Sequence, residues 1–435
     1  MKMLTRRGVS RSTYVVLGVI VVLIVVAGGY VFLAPGGSSS SSSASTQTVV
    51  STPTVTSTST STSTSVSTST VVQGNLILGT FGTGSTVNVA NAGQSAEWLT
   101  KSLGLYQQQG VNLTIDALQS SAVILQALQS GSINIADISA TEAFKTTALG
   151  QANFTSIGGN GASDCFTCTG GFFIIGKNSI ASVAQLQGKN IGISGVAGAD
   201  QLTAIAVLKA LGVTYDPLTA INWVPVSTPQ ARVAGLLQGS LDATVTTAQN
   251  LPALAAVPNL SMIVNATTFA RLSPPALPGL IVKTDFLKSH TALLQEFVKA
   301  LIMGNRYFAN NETAWLTLAE KARPDMNSTQ LTALYVGFAH GFGINGGINM
   351  TRAQLGVNYL YTTQEFISQN VPRLTAQQFV NTTLVDNALR QLGVVSAFDG
   401  IGRTVASATT TTALAMAVLP LQTLGERPGP VIGKR

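Results

Sequence analysis

Five short segments of the sequence carry hydroxyl side chains and glycines that could hold a small ligand by hydrogen bonds. Each follows an apolar run that predicts a β-strand, and glycines there let the backbone approach a ligand closely. The residues that we expect to contact a ligand are Thr83, Ser120, Ser121, Ser139, Thr141, Gly198, Ala199, Asp200, Gln201, Thr246, Thr247 and Gln249. Ser120, Ser121 and Thr141 could instead be helix N-caps, each contributing about 1 kcal/mol to helix stability.

Asp200 is the one charged residue among these segments. We expect it to cap its helix, and contact with an amine-bearing ligand is the alternative. The segments contain no Arg or Lys, so an anion would have to be bound by backbone N–H groups and hydroxyls. A neutral or heterocyclic ligand therefore stays equally open.

Residues suited to metal binding or nucleophilic catalysis are few. The two cysteines, Cys165 and Cys168, and the two histidines, His290 and His340, do not have the spacing of a zinc site. We therefore predict no metal, no cofactor and no catalytic residue, and we expect that the protein is not an enzyme. Outside the cytosol we expect Cys165 and Cys168 to form a tight disulfide, with free thiols as the alternative.

The elements that would position the five segments alternate between strand and helix. This alternation is the βαβ pattern of a parallel sheet covered on both faces. The predicted strands are 76–78, 111–115, 133–135, 172–175, 189–193, 221–224 and 241–245, and the predicted helices are 97–108, 122–129, 183–186, 202–211 and 229–238. Because the pattern restarts after Cys168, we predict an α/β protein with two sheets in two lobes.

A sequence pattern that occurs twice supports the prediction of two lobes. Residues 124–136 and 233–244 both read as an apolar helix face, a glycine at the helix C-cap, and a short strand with one polar side chain. The strand of each unit is the third when strands are counted from 76–78 in the first lobe and from 189–193 in the second. The predicted division is 75–168 for the first part of lobe 1, 169–268 for lobe 2, 269–400 for the return to lobe 1, and 401–435 for a tail without predicted structure.

The net charge of +7 belongs to the two ends of the chain. Residues 1–74 contribute +4 and residues 401–435 contribute +3, while residues 75–400 hold 16 basic and 16 acidic residues. A nucleic-acid-binding protein needs its positive charge clustered on the folded face that meets the phosphates. The distribution therefore argues against a nucleic-acid partner.

The amino terminus has the pattern of a membrane anchor. Residues 14–33 are uncharged and almost wholly apolar, long enough to cross about 30 Å of hydrocarbon, and Arg6, Arg7 and Arg11 precede them. By the positive-inside rule the chain after this segment lies outside the cytoplasm. Cleavage as a signal peptide near Ala27, or processing near Gly8 as in archaeal pilin-type signals, would leave residues 1–35 as a targeting segment and the protein secreted.

Residues 36–74 are a Ser/Thr-rich linker that has too few apolar side chains to form a core. It reads either as an O-glycosylated stalk or as a plain flexible linker. Asn-X-Ser/Thr triplets recur through the body, for example at Asn112 and Asn381, and they favour an exported glycoprotein.

Several runs of the body, in order, resemble the nitrate/sulfonate/taurine-type solute-binding proteins of ABC importers. The runs are 103–113, 128–137, 176–193, 238–243 and 379–393, so the resemblance covers about residues 76–395. It implies a bilobal periplasmic-binding-protein fold of type II, monomeric in its body, that closes by a hinge on a small-molecule ligand. It also implies delivery of that solute to an ABC permease and its ATPase subunits.

Two other functions stay open at the level of sequence. One is a protein of the same fold that binds or makes the thiamine-pyrimidine precursor, and neither His290 nor His340 lies in a segment predicted to contact ligand. The other is a pilin-like structural protein of the cell surface. The alternating α/β pattern disfavours it, because a pilin head is rich in β-structure.

Overall fold

The computed structural model describes residues 73–82, 88–89, 92–159, 161, 172–196, 198–226, 228–247, 250, 254, 257–395 and 405. All of these lie in one compact unit, residues 69–435. The predicted membrane segment, the Ser/Thr-rich linker up to residue 72, Cys165 and Cys168 lie outside them, as does the tail except for Val405. Within the described ranges, no helix has the length and apolar character needed to cross a bilayer.

The described strands form two sheets of five strands each. They are β1 (Gly74–Phe81), β2 (Val111–Leu118), β3 (Ile135–Asp137), β4 (Phe154–Gly158), β5 (Phe172–Lys177), β6 (Asn190–Ile193), β7 (Asn222–Pro225), β8 (Ala243–Thr247), β9 (Leu260–Val264) and β10 (Leu280–Lys283). The first sheet has the order β2-β1-β3-β10-β4 and the second has the order β7-β6-β8-β5-β9. We call each sheet, with the helices packed on it, the first and the second lobe.

The two sheets have the same arrangement of directions. In the first sheet β1 runs parallel to β2 and β3, whereas β10 runs antiparallel to β3 and β4. In the second sheet β6 runs parallel to β7 and β8, whereas β5 runs antiparallel to β8 and β9. The chain passes from the first sheet to the second between β4 and β5 and returns between β9 and β10. The first strand after each passage, β5 in the second sheet and β10 in the first, is therefore the strand that runs antiparallel to its neighbours.

Helices connect the strands and cover the sheets. They are α1 (Ala92–Ser102), α2 (Leu105–Gln108), α3 (Ser121–Ser130), α4 (Thr141–Ala148), α5 (Ala199–Ala210), α6 (Pro217–Ala220), α7 (Pro229–Gln238), α8 (Ala266–Leu272), α9 (Thr284–Ser289), α10 (Thr291–Ala309), α11 (Glu312–Ala322), α12 (Ser328–Phe338), α13 (Met350–Leu360), α14 (Gln364–Ser368), α15 (Ala376–Phe379) and α16 (Thr383–Leu392). Short 3₁₀ turns occupy Val183–Leu186 and Ala339–Gly341.

Local sequence explains where several helices begin and end. The Ser120 side chain accepts from the Val123 N–H at the start of α3, and the Thr228 side chain accepts from the Ala231 N–H at the start of α7. Helix α3 ends at Gly131 with φ 83°, and α7 ends at Gly239 with φ 79°. These positive φ angles favour glycine, as the C-cap pattern predicts.

The cores of the two lobes differ in composition. In the first lobe, a cluster of aromatic side chains surrounds Trp315, which is fully buried and lies 5.5 Å from Tyr335 and 5.4 Å from Phe338 between ring centroids. In the second lobe, alternate residues of β5 pack into two smaller clusters, with Ile174 in one and Phe173 in the other. Each lobe therefore buries its sheet, the first with more aromatic surface.

The α/β prediction with two sheets is confirmed, and the structure adds detail that the sequence did not supply. The strands β4, β9 and β10 were not predicted, and β10 places a late segment of the chain inside the first sheet. The predicted helix 97–108 is two helices, α1 and α2. They are separated at Gly104, whose φ of 70° interrupts the helical backbone.

Candidate functional site

A cavity of about 1160 Å³ lies where the two lobes face each other. Its wall includes residues that directly follow parallel strands of both sheets, such as Gly82 after β1 and Ser194 after β6, and Thr228, three residues after β7. Ligands of open α/β sheets gather at this edge, because helix N-termini there offer unpaired N–H groups. The cavity is therefore the candidate binding site.

Most of the residues expected to contact a ligand line this cavity. The lining residues among them are Ser120, Ser121, Ser139, Thr141, Gly198, Ala199, Asp200 and Thr247. Gln201 and Thr246 are buried and are not among the residues that line it. Successive side chains of a strand point to opposite faces of the sheet, so Thr246 faces away from the cavity that its neighbour Thr247 lines. Thr83, Gln249, Cys165 and Cys168 lie outside the described residues.

Asp200 has a structural role at the edge of the second sheet. Its carboxylate accepts hydrogen bonds from the backbone N–H of Ser194, from the Ser194 hydroxyl at 2.8 Å, and from the Gln201 N–H at 3.0 Å. Burial raises the pKa of Asp200, and the bonds from Ser194 act against that rise. The residue thus ties the end of β6 to the first turn of α5, while Gly198 occupies the N-cap position.

Arg232 places a guanidinium group at the cavity, and no sequence pattern predicted this residue. It lies in the first turn of α7, it is 6% exposed, and its Nη1 donates to the Val226 carbonyl at 2.7 Å. Its Nε has no hydrogen-bond partner. Burial lowers the pKa of Arg232, and the negative charge of Asp200 acts against this. The five segments contain no basic residue, but the cavity is also lined by residues outside these segments, and some of those are basic.

Two further basic side chains line the cavity, and both come from helices or from helix ends. Lys145 on α4 contacts the carboxylates of Glu142, at 3.1 Å, and of Glu365. Arg323, directly after α11, makes a two-point contact with Asp325 with both distances at 2.7 Å. The sequence signal for such residues is weak, because a basic residue within a helix usually faces solvent.

A buried acidic pair forms part of the first-lobe side of the cavity. Asp137 ends β3, lines the cavity, is 3% exposed, and accepts a hydrogen bond from the Thr80 hydroxyl at 3.1 Å. Glu97 on α1 is fully buried. Burial raises the pKa of Glu97 well above its usual value, and the charge of Asp137 raises it further. Asp137 could have been identified in the sequence as a cavity residue, because it is a charged residue at the end of an apolar strand.

One hydrogen bond connects the two sides of the cavity. The Tyr359 hydroxyl on α13, which packs with the first-lobe core, donates to the Leu202 carbonyl on α5 of the second lobe at 3.3 Å. Tyr359 and Leu202 also line the cavity. This contact therefore joins the two lobes beside the cavity.

No group of three His, Cys, Asp or Glu residues in the described part of the chain is placed to hold a metal ion. His290 stacks on Phe286 with ring centroids 4.1 Å apart, and neither His290 nor His340 is among the residues that line the cavity.

A family model described as NMT1/THI5 like matches residues 95–314 of the chain. The matched region extends from α1 to α11 and includes most of both sheets. No curated protein sequence matches the chain.

Solved structures from bacteria are similar to the chain over nearly their whole length. The ligand-binding component of an ABC-type import system from Staphylococcus aureus, with zinc bound, has a TM-score of 0.57 at 14% identity, covering 73% of this chain and 99% of its own. The periplasmic aliphatic sulphonate-binding protein from Escherichia coli has a TM-score of 0.52 at 14% identity, covering 70% and 97%.

The periplasmic nitrate-binding protein from Synechocystis has a TM-score of 0.55 at 12% identity, covering 75% of this chain and 91% of its own. At these identities the similarity shows the fold, which is that of periplasmic binding proteins. The periplasmic-binding-protein fold implied by the resemblance to nitrate- and sulfonate-type binding proteins is thereby confirmed, and the NMT1/THI5 like model supports the resemblance itself.

Proposed function

The chain belongs to the NMT1/THI5-like family, and from this premise we propose that it captures a small solute between its two lobes for an ABC importer. The solute would then pass to a permease in the membrane, driven by the ATPase subunits. In this role the protein is a binding protein and not an enzyme.

The observation that carries the proposal is the cavity of about 1160 Å³ between the carboxyl ends of the two sheets. It is large enough for a small organic solute, since ligand pockets commonly have volumes of roughly 300–1,000 Å³. Hydroxyls from the first lobe, including Ser139 and Thr141, and the N-terminus of α5 in the second lobe face into it. A ligand that touches both walls would stabilise the closed arrangement.

The two passages of the chain between the lobes support a hinge motion. Two connections allow one lobe to rotate on the other, whereas many would lock them. The bond from Tyr359 to Leu202 would break when the lobes separate, and a bound solute would offset its loss.

The location follows from the amino terminus. We propose that residues 14–33 anchor the protein in the cell membrane, that residues 36–74 form a stalk, and that the lobes lie on the extracytoplasmic side. If the signal is cleaved, the same lobes would be secreted.

A melting experiment on the full-length protein, purified in detergent, tests the proposal. A ligand that binds only the folded state raises the melting temperature by mass action. We expect at least one solute from a panel of anions, sulfonates, amino acids, amines and heterocycles to raise it in a concentration-dependent way. Variants with Thr141→Val and Ser139→Ala should lose part of that shift, whereas Thr317→Val, on the exposed side of α11, should keep it. The absence of any shift across the panel would contradict solute capture.

A further inference from the structure

The charged side chains around the cavity are arranged unevenly between the lobes. In the first lobe each basic side chain on the described wall forms an ion pair: Lys145 with Glu142 and Glu365, and Arg323 with Asp325. In the second lobe Arg232 donates to the Val226 carbonyl and is influenced by the more distant charge of Asp200. A carboxylate beside a cation reduces the attraction of that cation for an anionic ligand. The first-lobe wall is therefore poorly suited to binding a simple oxyanion through a basic side chain.

Asp137 presents a carboxylate to the same cavity from the first lobe. It ends β3 at the edge where the sheet meets the cavity, and the Thr80 hydroxyl holds it from β1 at 3.1 Å. Gly279, the residue before β10, also lines the cavity beside it. A Cβ at position 279 would collide with the Ile138 carbonyl, so glycine allows this backbone to pack closely against the end of β3 beside Asp137.

Glu97 adjoins Asp137 and does not itself line the cavity. It is fully buried on α1, and its carboxyl group interacts with the Thr80 side chain and with the Asp137 carboxylate. Two neighbouring carboxyl groups do not both ionise in a buried site, and the more deeply buried one keeps its proton. Glu97 is therefore the neutral member, and the pair presents one negative charge to the cavity, at Asp137.

A buried acidic pair of this kind costs stability, because an apolar residue at position 97 would pack without a desolvation penalty. Groups that are kept at such a cost are typical of functional sites. The pair has Asp137 on the first-lobe wall of the cavity proposed to hold the solute, and Glu97 lies behind that wall. Its single charge would repel an anionic group there and attract a protonated nitrogen.

We infer that Asp137 determines specificity in the cavity, and that the solute presents to it a protonated nitrogen, as in an amine or an amidine. Glu97 is a positioning residue that keeps its proton and leaves the charge on Asp137. This inference rests on the proposed function, since it names the class of solute that the cavity would capture.

Three probes of one shape test the inference: benzamidine, benzamide and benzoate, which carry a positive, a neutral and a negative head group on the same ring. We expect benzamidine to raise the melting temperature of the full-length protein most, benzamide less and benzoate least. Asp137→Asn should weaken benzamidine binding by about tenfold or more in calorimetry, as expected for a lost hydrogen bond to a charged group.

Two control variants separate the charge of Asp137 from general damage. Asp116→Asn removes a carboxylate from β2 of the same sheet, away from the residues that line the cavity, and should leave benzamidine binding unchanged. Thr80→Val leaves the Asp137 carboxylate in place and should keep the preference for benzamidine over benzoate. The melting temperature without probe shows whether each variant folds.

Three results overturn the inference: benzoate stabilises the protein as well as benzamidine, Asp137→Asn keeps the affinity for benzamidine, or none of the probes binds. The solute panel tests the proposed function separately. A panel solute that stabilises the wild type and Asp137→Asn equally would support solute capture and would refute the role of Asp137.

Discussion

The two lobes have one strand order and a matching junction at the third strand, yet they carry different chemistry there. In the first lobe the Asn134 side chain accepts from the Ile77 N–H of β1 at 2.8 Å. In the second lobe the Asp242 side chain accepts from the Asn190 N–H of β6 at 3.0 Å. The same side-chain bond thus fixes the third parallel strand to the first parallel strand in both lobes, and this explains the repeated sequence pattern.

The likeness extends to the antiparallel strands. Lys177 ends β5 and reaches the Gly239 carbonyl at 3.4 Å, and Lys283 ends β10 and reaches the Gln129 carbonyl at 3.3 Å. Both lysines therefore approach the C-terminal end of the helix before the third strand, where a cation is favourable. Only the second lobe adds an ion pair, from Lys177 to Asp242 at 2.9 Å, because the first lobe has Asn134 there.

The lobes differ most where they meet the cavity. The first lobe ends its third parallel strand with Asp137 next to Glu97, whose pKa is raised chiefly by burial, whereas the second lobe offers Arg232 with Asp200 nearby. A shared backbone scaffold therefore fixes where ligand-facing residues lie, and individual side chains decide which charge they present. The following changes test this contrast.

The largest effect is expected from the aromatic core of the first lobe. Trp315→Ala removes a fully buried ring and its Nε1 bond to the Ser95 hydroxyl at 3.0 Å. The free energy of unfolding should fall by about 3–5 kcal/mol, as for other buried aromatic truncations. Urea denaturation measures this. The matched change Trp223→Ala, on a half-buried ring of β7 in the second lobe, should cost clearly less, and equal losses would contradict the contrast.

The next largest effect is expected at the acidic pair, where a substitution should change how the free energy of unfolding depends on pH. Glu97 faces Thr80 on β1, Asp137 on β3 and Tyr106 on α2, and its pKa is raised chiefly by burial and then by Asp137. The folded state therefore binds a proton that the unfolded state releases above pH 4.5, so stability falls as the pH rises from there toward the raised pKa.

The slope from this single proton is at most about 1.4 kcal/mol per pH unit. Glu97→Gln imitates the neutral form and should remove this slope. Urea midpoints measured across the range from weakly acidic to weakly alkaline pH check it. Wild type and variant with parallel pH profiles would show that Glu97 is ionised in the folded state. Asp116→Asn serves as the control and should keep the wild-type profile.

A smaller effect is expected from the ion pair that distinguishes the third strands. Asp242→Asn keeps an oxygen to accept from Asn190 but loses the pair with Lys177, and it should cost about 0.5–1 kcal/mol at neutral pH. The pKa of Asp242 is lowered in the folded protein. Burial by itself would raise this pKa, but the hydrogen bonds from the Asn190 N–H and from Lys177 lower it by more. This contribution is therefore present above the usual pKa of an aspartate and lost as the pH falls through the folded value.

The reciprocal change, Asn134→Asp, tests whether the first lobe accepts the second lobe's arrangement. The bond from the Ile77 N–H should persist, and the stability at neutral pH should change by less than in Asp242→Asn. Thermal unfolding of both variants at neutral and at acidic pH measures the difference. A larger loss in Asn134→Asp would show that the junctions are not equivalent.

The smallest effect concerns the bridge between the lobes. Tyr359→Phe removes one hydrogen bond, to Leu202, and should weaken binding of a captured solute by about two- to fivefold. The matched change Tyr361→Phe removes two bonds within the first lobe, to the Pro372 carbonyl and from the Leu374 N–H, and should leave the affinity unchanged. Calorimetry with the solute found in the panel measures both. If both variants bound as the wild type does, the bridge would have no role in closure.

The parts of the site that could be predicted are those fixed by neighbouring residues. Hydroxyl and glycine residues after apolar runs identified Ser120, Ser139, Thr141 and Gly198 as neighbours of one cavity, because the carboxyl ends of parallel strands meet at one edge. Arg232 and Glu97 could not be predicted, since each lies within a helix and reaches its partner across the fold. The position of β10 in the first sheet also depends on a contact between distant segments.

The sequence by itself determined the alternation of strands and helices, the glycine C-caps at Gly131 and Gly239, and the repeated junction of each lobe. These features depend on residues that are close along the chain, so periodicity and capping patterns reveal them. Only the tertiary structure decided that Glu97 adjoins Asp137 and that Arg232 lies near Asp200. Those pairings set the charge of the cavity, and they depend on burial and on contacts between distant segments, which no local pattern contains.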